Sequence, residues 1–251
     1  MSAFWNTFLL DLPLLVSAAI TTLVLALVAG VIAMVIAIPV GFGRLSRVTI
    51  IRSLSTTYVE VVRGTPLLLQ LLVWFYGVRI LLLTLFQLNI DTFIFDLLTS
   101  LNSNSLFPKA GVTGLFFGVV GLGVNYGAYL AEVVRAGILA VDHGQTEAAQ
   151  SLGLGRLQIA RMIVLPQALR LMIPPLTNNF ITLVQDTAFL QILAVAELSL
   201  VTQGFIAGTT NPTIRWGFYV VELAIYFTIC YSLSLVARWQ ERRAARVAAI
   251  A

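Results

Sequence analysis

LPLLVSAAITTLVLALVAGVIAMVIAIPVGFG, residues 12–43, lies between Asp11 and Arg44 and carries no charged side chain. A run of this length and apolarity reads as a helix that crosses a bilayer, whose hydrocarbon core takes about 20 residues to span. The rest of the chain has the same character. Of its 251 residues 59% are hydrophobic and only 10% charged, with a mean hydropathy of +0.95. A soluble domain carries about 25% charged residues, and a chain lacking most of that charge cannot keep its surface wet. The expected class is an all-α integral membrane protein.

Working outward, five spans fit, at about 14–40, 56–83, 112–139, 163–185 and 216–237, with 1–13 as a segment before the first. A polar stretch from Gln87 to Lys109 sets off a loop at 84–110, and a second polar loop, 142–161, separates spans 3 and 4. Residues 238–251 form an arginine-rich tail. An odd number of spans puts the termini on opposite sides, so charge tests the direction. With the N-terminus outside, Arg44, Arg47, Arg52, Arg156, Arg161, Arg238, Arg242, Arg243 and Arg246 are cytoplasmic, and Arg63, Arg135 and Arg170 lie near cytoplasmic span ends. Only Arg79, Lys109 and Arg215 remain outside. The sequence pI near 9.6 therefore reflects orientation, and no nucleic-acid partner is expected. The reading places 1–13 and 84–110 on the extracytoplasmic side and the tail in the cytoplasm.

Enzyme chemistry finds little to work with. Cys230 is the lone cysteine and His143 the lone histidine, which removes disulfides and the usual His/Cys metal sites. No phosphate-binding Gly-rich loop with Lys and Ser/Thr occurs, so no ATP hydrolysis is expected on this chain.

The loop after span 3 carries the most specific signal. It reads Glu147-Ala148-Ala149, three residues, Gly153, nine residues, Ile163, Val164, Leu165-Pro166. Thr146 to Leu152 is composed of residues compatible with a short helix, and Gly153 is placed to cap its end. The small Ala148 and Ala149 present a low surface to a partner, and Glu147 can cap the helix start or pair with a basic group. The spacing resembles the EAA loop in the membrane subunits of ABC importers, at every fixed position. Arg63-Gly64-Thr65-Pro66-Leu67-Leu68-Leu69-Gln70 and Asn125-Tyr126-Gly127-Ala128-Tyr129-Leu130-Ala131-Glu132-Val133-Val134-Arg135-Ala136-Gly137 are similar to signatures of the polar amino acid permeases among them, as is Gly144-Gln145. The likeness covers nearly the whole chain. It departs from the family's Lys-Asp-Thr-Ser-Leu-like run, where this chain has Gln185-Asp186-Thr187-Ala188-Phe189, and in a longer segment at 84–109.

The resemblance implies a five-span ABC importer transmembrane domain of type I over 14–237, with 142–161 as the coupling loop. Glu147, Ala148, Ala149, Gly153 and Leu154 would engage the ATPase. It also implies ABC ATPase subunits that bind the ATP and Mg, a second permease (the same or a homologous chain), an extracytoplasmic solute-binding protein and an amino acid substrate. This chain itself would hold no cofactor or metal and would sit in lipid as a multi-pass protein of the bacterial inner membrane. An ion-coupled secondary transporter or channel is the alternative.

Polar groups inside spans are costly and should face a cavity or another helix. Asn125, Tyr129 and Glu132 share one helical face. Asn178, Thr182 and Gln185 form another stripe, followed by Asp186, and the second span carries Arg63 and Gln70. These nine residues are the candidate substrate pathway. Glu132 or Asp186 could meet a solute ammonium, with the amides as neutral partners; alternatively Glu132 pairs with Arg135 or Arg63 to hold the bundle together. Glu222, toward the outer end of span 5, reads as a residue reaching the interface, and Trp216, Tyr219 and Trp239 as interfacial anchors.

Overall fold

A computed structural model describes residues 2–87 and 112–248. The expected loop 84–110 lies, after its first few residues, outside them, as does the end of the tail. Every described element is helical. Five stretches are long and apolar enough to cross a membrane: Phe8–Arg44, Leu67–Leu85, Thr113–Leu139, Arg156–Leu193 and Pro212–Gln240.

The helix α1 (Ser2–Arg44) takes in most of the expected leading segment. Its packing is that of a helix in lipid. Ala26, Ala29, Ala33 and Ala37 are fully buried, while Val24, Leu27, Val28, Val31, Val35 and Ile38 are exposed. In a bilayer the branched face is solvated by acyl chains, and the small face lets neighbouring helices approach.

The structure divides the expected span 56–83. α2 (Thr49–Arg63) ends at Gly64, whose N–H donates to the Glu60 carbonyl over 2.8 Å, and Pro66 then turns the backbone extended (φ −63°, ψ 132°). The residue before a proline is pushed out of the α region, so Thr65 cannot continue the helix easily. The apolar run restarts as α3 (Leu67–Leu72), passes through a π turn at Val73–Val78, and finishes as α4 (Arg79–Phe86). There follow α5 (Val112–Leu139), α6 (His143–Ser151) and α7 (Arg156–Ile159). A π turn, Ala160–Val164, leads into α8 (Leu165–Asp186), and a 3₁₀ segment, Thr187–Leu193, into α9 (Leu198–Ala207) and α10 (Pro212–Ala248).

The chain forms two compact units. The first comprises Met1–Val31, Thr65–Gly123 and Thr182–Cys230. Its core gathers Leu15, Ala18, Leu198, Ile206 and Phe218, with Phe205 stacked on Phe218 at 5.2 Å. Thr22, fully buried, accepts the Leu198 N–H at 3.1 Å and so holds the start of α9.

The second unit comprises Ile32–Gly64, Val124–Ile181 and Tyr231–Ala251. Val134, Val141, Ala168 and Met172 form its core. α1 meets α5 so closely that a Cβ on Gly41 would lie 2.7 Å from Val134 Cγ1. The Tyr58 hydroxyl donates to the Val124 carbonyl over 2.6 Å, and burial pushes its pKa up to about 12, which keeps it a donor. Within α8, Pro174 and Pro175 supply no N–H, so the carbonyls of Arg170 and Leu171 lose their usual helical partners. Thr177 donates to the Ile173 carbonyl (3.0 Å) and Asn179 to that of Pro175 (2.8 Å).

Candidate coupling surface and polar cavities

In the second unit, the loop after α5 is built as a capped helix with a defined stop. Asp142 is the N-cap of α6, its carboxylate accepting the Gly144 N–H at 2.8 Å, so the helix starts at His143, ahead of Thr146. At its far end the Gly153 N–H donates to the Gln150 carbonyl (2.9 Å) and the Leu154 N–H to that of Ala149 (3.2 Å). This pair of bonds is the Schellman arrangement, which requires a left-handed residue after the cap. Gly153 fills that place with φ +80°. The following turn begins with the Gly155 N–H held by Gln158 Oε1 at 2.9 Å. Ala149 is buried and Leu154 half-buried, whereas Glu147, Ala148 and Gly153 are exposed. Two residues the sequence did not mark join them: Leu152 and Leu157 are each 81% exposed. Their signal was available, as large apolar side chains in an otherwise polar loop.

The same unit holds a charged cavity of about 410 Å³, lined by Arg44, Val59, Glu60, Arg63, Gly64, Tyr129 and Glu132. Glu132 accepts from Arg135, Nη2 to Oε1 at 2.5 Å and Nε to Oε2 at 3.1 Å, and also pairs with Arg44. The Arg63 guanidinium lies 5.2 Å from the centroid of the Tyr129 ring, a cation–π distance. Three of the nine pathway candidates, Arg63, Tyr129 and Glu132, thus line one space. Asn125, on the same helix, is instead buried (4% exposed), and Asn178 is exposed; neither lines the cavity.

The first unit holds a second pocket, of about 330 Å³, lined by Gln185, Ala188, Ser199, Tyr219, Glu222, Leu223 and Tyr226. Adjoining it, Glu197 caps α9 from a fully buried position. It accepts the Leu200 N–H at 2.8 Å and the Tyr226 hydroxyl at 3.0 Å, and Ser199 Oγ lies 3.3 Å from that hydroxyl. Burial pushes the Glu197 pKa up to about 7, against the hydrogen bonds that favour its charged form. Of the pathway candidates only Gln185 lines this pocket; Thr182 is exposed and Asp186 half-buried. Gln70 donates to the Thr65 carbonyl (3.1 Å) and hydroxyl (2.7 Å), tying the start of α3 to the Thr65 turn. Sequence reasoning missed Glu197 and Ser199, which sit in an irregular stretch with no periodicity to exploit, and Tyr226, which lies mid-span on α10. Among the described residues, no three His, Cys, Asp or Glu side chains gather as a metal site.

Helices of this length, a capped polar loop and polar cavities within the helical units point to a membrane transport component. Residues 33–246 match the sequence model of the binding-protein-dependent transport system inner membrane component. The chain belongs to that family and is a multi-pass inner-membrane protein. It is similar to the L-cystine transport system permease protein TcyB of Bacillus subtilis, 34% identical over 94% of this chain and 89% of that one. It is also similar to the glutamine transport system permease protein GlnP of Escherichia coli, 30% identical over 95% and 96%. Among solved structures, an amino acid ABC transporter with histidines superposes with a TM-score of 0.78 at 31% identity, covering 95% of this chain and 97% of the other. The MetNI methionine ABC transporter in an inward-facing conformation shares the fold, with a TM-score of 0.66 at 22% identity over 91% and 97%.

Proposed function

We propose that this chain is the permease subunit of an ATP-driven ABC importer that carries amino acids, of the polar or charged class, across the bacterial inner membrane by alternating access. Family membership and the cystine and glutamine permeases among its relatives support the solute class. The observation that carries the reading is α6: a short exposed helix bearing Glu147-Ala148-Ala149, closed by a left-handed Gly153. A permease with no nucleotide loop needs a mechanical input, and a rigidly capped helix can deliver one. Glu147, Ala148, Ala149, Gly153 and Leu154, flanked by Leu152 and Leu157, form the face on which the ATPase docks. That partner binds the ATP and Mg.

The termini are oriented with the N-terminus outside and the C-terminus cytoplasmic, in accord with the arginine distribution. A second permease, a copy or a relative, completes the passage, and an extracytoplasmic solute-binding protein delivers the amino acid. Arg63, Gln70, Asn125, Tyr129, Glu132, Asn178, Thr182, Gln185 and Asp186 contribute to the pathway. The pocket at Gln185 gains Glu222, a carboxylate facing a membrane-embedded space, where a cationic ammonium is the fitting ligand. ATP closes the ATPase pair, and the equilibrium between inward and outward states shifts by the differential affinity of nucleotide for the two.

Reconstitution with candidate ATPase subunits tests this. Uptake of amino acid should require ATP, and Glu147→Lys should leave the protein inserted but uncoupled. Uphill accumulation without an ATPase would overturn the assignment in favour of an ion-coupled carrier.

A further inference from the structure

The charged cavity of the second unit has a composition that a structural ion pair does not account for. Glu132 is committed to Arg44 and Arg135. The other two charged lining residues, Glu60 and Arg63, one helical turn apart on α2, make no ion pair among the described residues. Arg63 is held over the ring of Tyr129, which fixes its place on the wall. Glu132 and its two arginines carry a net charge of +1, and beside them the cavity offers one further carboxylate and one further guanidinium. A simple anion would meet Glu60 and Glu132, and a simple cation would meet Arg44 and Arg63. A small ligand carrying both charges satisfies both walls, and about 410 Å³ falls within the range of small-molecule pockets.

Its place on the chain gives it a side. Arg44 ends the span Phe8–Arg44, and Glu132 lies about two turns before the end of Thr113–Leu139, after which α6 starts at His143. The cavity thus lies toward the coupling-helix end of the second unit. We propose that Glu60 and Arg63 form a second amino acid site at that end, binding the α-ammonium and α-carboxylate of solute already delivered, so that accumulated product slows further import. The product assignment rests on the amino acid reading above; recognition of a zwitterion rests on the cavity alone.

The test uses the full chain, assembled with its partners in nanodiscs and titrated with L-glutamine, L-cystine and L-histidine. Each is compared with its N-acetyl form, which lacks the ammonium, and its amide form, which lacks the carboxylate. At least one of the three should bind, with either blocked form weaker by about tenfold, the loss of one charge-assisted contact. Glu60→Gln should abolish discrimination against the N-acetyl form only, and Arg63→Gln discrimination against the amide form only. A merely structural role for either residue would not split the two blocked forms. Binding by none of the three, or unchanged discrimination in both variants, overturns the proposal. Uptake by the same assembly reads the functional assignment separately. If ATP fails to drive it while the head-group discrimination holds, the importer reading falls and the zwitterion site stands.

Discussion

Replacing Gly153 with alanine places a methyl group in open space, since nothing lies within 4 Å of the position its Cβ would occupy. The cost is therefore a backbone cost. A residue with a Cβ at φ +80° is less stable than glycine by roughly 1–2 kcal/mol. The narrower conformational freedom of alanine in the unfolded chain returns about 0.4–1 kcal/mol, leaving a net loss near 1 kcal/mol. Abandoning the left-handed end would forfeit both closing hydrogen bonds, at about 1 kcal/mol each, so the helix keeps its shape and bears the strain. Strain of about 1 kcal/mol leaves the closed end the major form and raises the minor, opened form roughly fivefold. Amide hydrogen exchange at Gly153 and Leu154, the donors of those two bonds, should quicken by about that factor, while ATPase affinity for the nanodisc-embedded permease falls less than about twofold. Asparagine, which tolerates the left-handed region better, should lose less than alanine. Arginine should match alanine in thermal unfolding of the permease but lose more in docking, because only the docked partner occupies the space beyond Gly153. Unchanged exchange in the alanine variant would refute the argument, as would a much lower unfolding temperature for arginine than for alanine.

Glu197 makes stability depend on pH. Its pKa rises from 4.5 to about 7 on folding, so the folded state favours the protonated form. The stabilisation is complete below about pH 4.5 and is lost as pH rises through 7, by up to about 3 kcal/mol. Thermal melts at pH 5 and pH 8.5 should differ accordingly, and Glu197→Gln should shrink that difference. Glu132→Ala leaves the Arg44 and Arg135 guanidiniums facing one another without their shared partner, and should cost about 1–3 kcal/mol. Removing Arg135 as well should cost less than the sum of the single variants, as denaturant titration of the cycle can show. Leu152→Ser with Leu157→Ser should leave the unfolding temperature within about 2 °C, since surface changes are usually within 0.5 kcal/mol. The same pair should weaken ATPase docking; unchanged docking would confine contact to the Glu147–Ala149 face.

The membrane spans were legible because lipid demands apolar runs, and residues 12–43 supply one without interruption. The break at Thr65–Pro66 was legible in Gly64-Thr65-Pro66, which reads as a bend or a helix start because proline supplies no N–H, yet the expected span 56–83 ran across it. Periodicity placed Tyr129 and Glu132 on one face correctly for the cavity, yet could not show that Asn125 turns into the packed interior. Arg44 was readable only as a marker of orientation. Its pairing with Glu132 joins residues 88 positions apart, and nothing local announces such a contact. Glu197 was invisible for a related reason: its partner Tyr226 lies 29 positions away on α10, and Thr22, which holds the neighbouring Leu198 N–H, comes from α1. Glu222 looked like an interfacial residue because its depth along the span was easier to read than the pocket it lines.

The two adjacent prolines of α8 bear on how a long span yields under load. Flexing a regular helix means stretching peptide bonds' mutual contacts one by one, but at Arg170 and Leu171 those contacts were never formed. Curvature introduced there breaks nothing that the resting molecule holds. A push entering through the loop between α5 and α8 would therefore be absorbed first at this joint.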